Sequence, residues 1–399
     1  MTDWIAEEHK YLFQNYGRQP VVLDHGSGTR VWDIDGKEYL DFVGGLAVNA
    51  LGHAHPVVSE AIAAQSQQLI HTSNLFYTKP MVELAKLLVE HSCLDRVFFC
   101  NSGTEAIEGA IKLARRWGHD TRGGAYEIIA MQDGFHGRST GALAATGTAR
   151  YREPFAPLAP GFSHVPWNDL QAVKDATTAL TVAVLIEPIQ GEGGVNMPAP
   201  GYLQGVREWC DERQLLLIFD EIQTGVGRTG SLWAYEQEGV EPDIMALAKG
   251  LAGGVPIGAL LAREAIAAHL VPGDHGTTFG ANPLATAAGL ATMRYIIDNH
   301  LPAAAARASE RLMARLRSME DRLPVVTEVR GRGLLIAVGL ARDISGDVVA
   351  ACRERGLLAN NVRPNAVRLM PPLIVSDADI DRACDILEEA ILAVTKRGS

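Results

Sequence analysis

Lys249 ends an apolar run, Asp243-Ile-Met-Ala-Leu-Ala-Lys249, and is followed by Gly250 and by Gly253-Gly254. An amine at the end of a buried strand is desolvated, which lowers its pKa and frees the lone pair to attack an aldehyde carbon. Asp220 ends a second apolar run, Leu215-Leu-Leu-Ile-Phe-Asp220, and precedes Lys249 by 29 residues (249 − 220). A carboxylate there is costly without a cationic partner, and a protonated ring nitrogen would be one. Asn101-Ser102-Gly103-Thr104-Glu105 follows a third apolar run and opens a helix-like segment. The free N–H groups and positive dipole end of such a helix start form an anion site. Taken singly, each feature has a plainer reading: a snorkelling lysine, a turn aspartate, a simple N-cap. Their conjunction, in this order on one sheet, is specific.

These residues need strands to carry them. Arg96–Cys100, Tyr126–Met131, Thr181–Glu187, Leu215–Asp220, Asp243–Ala248 and Gly258–Ala262 read as buried strands. Amphipathic segments such as Gly103–Trp117 and Gly201–Arg213 lie between them. That alternation predicts an α/β fold, a mostly parallel sheet covered by helices on both faces. In such sheets ligands bind beyond the carboxyl ends of the strands. Ala281–Asn299 reads as a long helix, after which the pattern changes to a smaller α/β domain. The expected division is an N-terminal segment, 1–50, packing with the small domain, a large domain, 51–300, and the small domain, 301–399. Asp35-Gly36 marks a hairpin.

A chain of 399 residues is too long for one ordinary core. A net charge of -11 without a basic run argues against nucleic acid. No stretch is apolar enough for a membrane span, and the N-terminus lacks the features of a signal peptide. The five cysteines form no C-x-x-C pair, so they read as reduced thiols of a cytoplasmic protein. His53, His55 and His136 have no carboxylate or cysteine at ligand spacing, so no metal is expected. Gly225-x-Gly227-x-x-Gly230 matches the dinucleotide fingerprint in letters only, because Asp220, Glu221, Gln223 and Thr224 separate it from the strand end. A nicotinamide oxidoreductase is the rival it would support.

Over nearly the whole chain the sequence resembles the class III, or ω-, aminotransferases of pyridoxal-phosphate (PLP) fold type I. Tyr39-Leu-Asp-Phe, Ala47-Val-Asn-Ala-Leu-Gly-His53, His71-Thr-Ser-Asn-Leu-Phe-Tyr77, Asn101-Ser-Gly-Thr-Glu105 and Gly134-Phe-His-Gly-Arg138 carry the resemblance. So do Glu187-Pro-Ile-Gln-Gly-Glu192, Asp220-Glu-Ile-Gln223, Ala248-Lys-Gly250, His275-Gly-Thr-Thr278 and Arg368-Leu-Met-Pro-Pro372.

The resemblance implies that Lys249 holds PLP covalently and that Asp220 pairs with its ring nitrogen. It places Phe135 on one ring face, Gln223 near the ring hydroxyl, Glu221 beside the cofactor, and Ser102, Gly103 and Thr104 at the phosphate. Thr278 would join them from a second subunit, making a homodimer with shared sites. Arg138, Thr277 and Arg368 would bind substrate carboxylates, with Glu192 masking Arg368 while an ω-amino donor is bound. The implied reaction moves an ω-amino group from a small-molecule donor to 2-oxoglutarate. N2-acetylornithine is the leading donor, with succinylornithine, ornithine, 4-aminobutyrate and carrier-bound aminoadipate semialdehyde as alternatives. Leu46, where ornithine-specific relatives carry tyrosine nearby, fits an acylated α-amine. Ile107 departs from the family's Glu-Ala-Asn-Glu and is expected to loosen a hydrogen bond behind the phosphate cup.

Overall fold

The computed structural model describes residues 2–397. Their strands form three sheets. Near the N-terminus lie β1 (Leu23–Ser27), β2 (Arg30–Asp33) and β3 (Glu38–Asp41). The middle of the chain supplies β4 (Arg96–Cys100), β5 (Glu127–Met131), β6 (Phe162–Val165), β7 (Thr181–Ile186), β8 (Leu216–Asp220), β9 (Ile244–Leu247) and β10 (Gly258–Ala262). The last hundred residues add β11 (Val326–Arg332), β12 (Leu335–Leu340), β13 (Leu357–Leu358), β14 (Asn360–Arg363) and β15 (Ala366–Leu369).

The central sheet has seven strands in the order β4-β10-β9-β8-β7-β5-β6. β6, β5, β7, β8 and β9 are parallel, and β10 runs antiparallel to both β9 and β4. β7, β8, β9 and β10 are buried at every residue, as a sheet covered on both faces requires. β6 was absent from the expected strands. Its Ser163 and His164 break the apolar run, and only pairing with β5 makes it extended.

Alternation along each strand divides the core. Leu216 and Ile218 pack on one face with Ile107, Ile111 and Leu113 of the helix Gly103–Thr121. Leu217 and Phe219 pack on the other with Val206 and Cys210 of the helix Tyr202–Arg213. Asp220 therefore shares its side of the sheet with the start of the Gly103 helix.

The C-terminal sheet, β11-β12-β15-β14, is antiparallel and carries Arg368 on β15, opposite Ala337 on β12 and Asn360 on β14. β13 joins the N-terminal sheet by pairing in parallel with β3, Leu357 opposite Leu40. Phe42 also accepts a backbone hydrogen bond from Met370 (2.7 Å). The Asp35-Gly36 turn joins β2 to β3, with Gly36 at φ +80°. No helix begins at Gly225, Gly227 or Gly230; that stretch is a series of turns, so it is no dinucleotide fold. No described helix is long and apolar enough to cross a membrane.

Ile107 is fully buried in the apolar layer between helix and sheet. Its hydrocarbon side chain supplies no hydrogen bond there and contributes through packing alone. Ile107→Ala should cost about 2–5 kcal/mol through the cavity left behind. Urea unfolding of the variant against the native chain measures it.

Candidate active site

The carboxyl edge of the central sheet opens into a cavity of about 400 Å³. Ser102, Gly103, Thr104, Phe135, Arg138, Glu192, Asp220, Gln223 and Lys249 all line it, together with Val48, Asn101, His136, Glu187 and Ile222. Residues from six separate segments therefore converge where strand-end geometry expects a ligand.

The phosphate cup is a capped helix start. Ser102 Oγ accepts from the Glu105 N–H (3.3 Å), and Glu105 Oε2 accepts from the Asn101 N–H (2.9 Å) and Asn101 Nδ2 (2.8 Å). The cup residues are thus fixed by neighbours three and four positions along the helix. Gly103 needs its missing side chain, since a Cβ there would come within 2.9 Å of Ile222 Cδ1. Glu108, one turn in, ties the loop carrying Arg138. Its Oε1 accepts from Ser139 Oγ (2.6 Å), the Gly141 N–H (2.8 Å) and the Ala142 N–H (3.1 Å).

Asp220 is buried, 3% exposed, and is not alone. His136 Nδ1 donates to Asp220 Oδ2 (2.8 Å), and Asp220 Oδ1 accepts from the Ile222 N–H (3.1 Å). His136 is itself buried, and its Nε2 has no partner. Sequence spacing hid this pair, which is 84 residues apart along the chain. His53 likewise pairs with Asp41 (2.7 Å). Carboxylates do reach these histidines, yet no cluster of three or more metal-ligating residues occurs among the described residues.

Glu187 is another residue that motif reading left without a role. Its Oε1 accepts from the Phe135 N–H (2.9 Å) and its Oε2 from the Gly191 N–H (3.0 Å). One buried carboxylate thereby joins the loop bearing Phe135 and Arg138 to the loop bearing Glu192. Burial pushes its pKa up. The signal available was a charged residue directly after a fully apolar strand.

Lys249 opens a short 3₁₀ turn at φ +41°, a left-handed conformation unusual for a side-chain-bearing residue. No described side chain hydrogen-bonds its Nζ, and desolvation lowers its pKa. Arg368 is fully buried behind the cavity wall. Its Nη1 donates to Glu192 Oε1 (2.7 Å) and Gln223 Oε1 (3.1 Å), and its Nη2 to Asn360 Oδ1 (2.9 Å). Gln223 Nε2 also donates to Glu192 Oε1 (3.3 Å). Burial opposes ionisation of Glu192, but the charges of Arg368 and Lys249 outweigh it and hold the carboxyl at about 2. Glu192 is therefore an anion at neutral pH and masks Arg368.

Several expected residues stand elsewhere. Glu221 faces away from the cavity: its carboxylate accepts from Thr224 Oγ1 (2.8 Å) and from the Ala234 (2.9 Å) and Tyr235 (2.8 Å) N–H groups. It caps a helix, because successive strand-end residues point to opposite faces. Thr277 lies outside the cavity wall, as does Thr278, whose expected place is a second copy's cup. Thr277 Oγ1 accepts from Asn101 Nδ2 (2.9 Å), and Thr278 is exposed. Leu46 is also exposed, and Val48 is the residue of that segment lining the cavity.

An anion cup, a buried acid and a desolvated amine on one parallel sheet define a class of enzyme. The family described as Aminotransferase class-III matches residues 11–391, and the chain belongs to it. It is a PLP-dependent transaminase of fold type I. The chain is 49% identical to the acetylornithine aminotransferase of Methanothermobacter thermautotrophicus, over 97% of this chain and 98% of that protein. Among solved structures it resembles acetylornithine aminotransferase from Elizabethkingia anophelis, with TM-score 0.88 and 36% identity over 98% of each chain. Ornithine aminotransferase from Toxoplasma gondii, solved with PLP in partial occupancy at its active site, superposes with TM-score 0.93. That protein is 37% identical, over 99% of this chain and 95% of its own.

The residues present fit PLP. The helix start offers free N–H groups to a phosphate, Asp220 offers a buried carboxylate to a ring cation, and Lys249 offers an amine with no hydrogen-bond partner.

Burial raises the Glu221 carboxyl from its ordinary 4.5 to about 7. The folded state then holds a proton that the unfolded state releases, so this contribution to stability is full below about 4.5 and is lost as pH rises through about 7. The stability advantage of the native chain over Glu221→Gln should therefore shrink between pH 5 and pH 8. Urea midpoints at each pH check this, and the variant should keep its bound-cofactor absorbance.

Proposed function

We propose that this transaminase moves the δ-amino group of N2-acetylornithine to 2-oxoglutarate, giving N-acetylglutamate 5-semialdehyde and glutamate, a step of arginine biosynthesis. The reading rests chiefly on one observation: Arg138 is open at the cavity mouth while Arg368 is masked by Glu192. With one carboxylate reader open and one shut, the site suits a donor whose reacting carbon bears no carboxylate. The donor's α-carboxylate then meets Arg138, and its δ-amine reaches Lys249. When glutamate or 2-oxoglutarate binds, Glu192 moves aside and Arg368 takes the α-carboxylate as a fork. The similarity to acetylornithine aminotransferases, 49% for the methanogen protein, favours this donor over ornithine.

PLP, when bound, supplies an aldehyde for amine exchange and an electron-withdrawing ring for the carbon that loses a proton. The helix start at Ser102, Gly103 and Thr104 holds its phosphate. Asp220, oriented by His136, keeps the ring nitrogen protonated. Phe135 lies against a ring face and Gln223 near the ring hydroxyl. Lys249 Nζ carries the proton between the donor carbon and the cofactor carbon, a task suited to an amine whose pKa desolvation has lowered.

The unit is a homodimer in this reading. Leu75, Phe76, Tyr77 and Phe279 are exposed beside Thr278. Asn74 Nδ2 pins their two segments together through Thr277 O (3.2 Å) and Gly280 O (3.0 Å). A second copy covering this apolar patch would receive Thr278 in its own cup. The free thiols suit a reducing cytoplasm.

Lys249→Ala should lose the lysine-linked cofactor absorbance and at least about 10³-fold in turnover. Retained turnover would overturn the assignment. A donor panel with 2-oxoglutarate should rank N2-acetylornithine first in kcat/KM, above ornithine, succinylornithine and 4-aminobutyrate. Glu192→Ala should lower the KM for glutamate at least about fivefold, the scale of one charge-assisted hydrogen bond. Steady-state kinetics of the glutamate half-reaction measures it.

A further inference from the structure

Arg138 is a cation without an anion. Among the described residues no carboxylate or carbonyl accepts from its guanidinium, although it is exposed at the cavity mouth. A long unpaired side chain there would sample many rotamers, and ordering it on substrate binding would cost affinity. Two aromatic rings hold it instead. Its Cζ lies 3.8 Å from the ring centroid of Tyr151 and 5.4 Å from that of Phe135. The two rings meet edge to face, centroids 6.0 Å apart at 85°. Tyr151 is fixed in turn: Arg150 Nη2 donates to its Oη (2.9 Å), and Arg150 Cζ lies 4.8 Å from its centroid. Tyr151 does not line the cavity, so it acts through Arg138.

We propose that Tyr151 is a positioning residue that sets donor specificity by holding the Arg138 guanidinium over its ring, with the N–H donors left for a substrate carboxylate. A π face attracts the cation without using its hydrogen-bond donors, which a carboxylate partner would occupy. The same ring abuts Phe135, so the carboxylate reader is registered against the residue proposed to lie on the cofactor. The inference rests on the reading that Arg138 takes a substrate carboxylate.

The test uses purified holoenzyme as native chain, Tyr151→Leu and Tyr151→Phe. The first probe is N-acetyl-L-norvaline, which keeps the donor's carboxylate and acetamide but lacks the δ-amine. By calorimetry its Kd should rise about tenfold in Tyr151→Leu and stay within about twofold in Tyr151→Phe, which retains the ring face. The KM for N2-acetylornithine should rise by the same factor, with kcat changing much less. N-acetylputrescine, the donor without its carboxylate, should give equal kcat/KM in all three. Unchanged Kd in Tyr151→Leu would overturn the proposal. So would an equal loss with N-acetylputrescine, which marks a merely structural role, or a Tyr151→Phe as weak as Tyr151→Leu. Failure of the donor reading looks different: the native enzyme then neither binds N-acetyl-L-norvaline nor turns over N2-acetylornithine. Glutarate in that case replaces the first probe, judged by the same criteria.

Discussion

A carboxylate at the end of a fully apolar strand is the constraint around which this molecule is arranged. Asp220 has lost its water, and the hydration it gave up must be replaced by fixed partners. Two lie within the chain, the His136 ring and the Ile222 N–H. The rest of its charge faces the cavity, where the proposed ring cation would complete it. The site is therefore built for its cofactor in an electrostatic sense: without a cation there, a buried acid is only partly compensated. Lys249 stands in the converse relation. Its amine is desolvated with no hydrogen-bond partner, which is unfavourable for an ammonium and favourable for a nucleophile.

The loops that complete the site are held by a few carboxylates acting as staples. Glu105 closes the cup, Glu108 ties down the turn after Arg138, and Glu187 joins the Phe135 loop to the Gly191 loop. Each accepts from backbone N–H, so each fixes main chain, and Glu105 and Glu108 hold the Asn101 and Ser139 side chains as well. Loops so tied can carry chemistry without the stiffness of a strand. Glu187 is the most consequential, since both segments it joins bear cavity-lining groups.

Much of this was legible in the residue order. Buried strands announce themselves as apolar runs, and the expected bounds of β4 and β10 coincide with those observed. Lys249, Asp220 and the cup all fall on one cavity because each follows such a run directly. What escaped was non-local. β6 carries too little apolar signal and is extended only because β5 offers it a partner. The His136–Asp220 bond joins a loop to a strand end, and no spacing rule reports it. Glu221 shares a motif with Asp220, yet the strand's alternation sends it to the opposite side. A motif names which residues cluster in sequence; the pleat decides which of them face the ligand. Leu46 is a separate case: it sits in the short helical turn Gly44–Ala47 and is exposed, while Val48 just after it lines the cavity.

On the proposed reading, in which Arg368 takes an α-carboxylate, the masked arginine lets one cavity serve two unlike substrates. A permanently open Arg368 would favour any amino acid that presents its α-carboxylate beside the reacting amine, and an ω-amino donor would compete poorly. Removing the arginine would abolish glutamate binding altogether. Pairing it with Glu192 makes its availability conditional. The pair is stable because Glu192 remains an anion far below neutral pH, and because Gln223 and Asn360 also accept from Nη1 and Nη2 of the guanidinium. It is breakable because Glu192 is partly exposed, with 28% of its side-chain surface accessible, so water can take over its hydration as it swings away. A substrate carboxylate offers Arg368 the same charge in better, bidentate geometry. The exchange is thus close to balanced, and selection between substrates becomes a difference between two carboxylates competing for one fork.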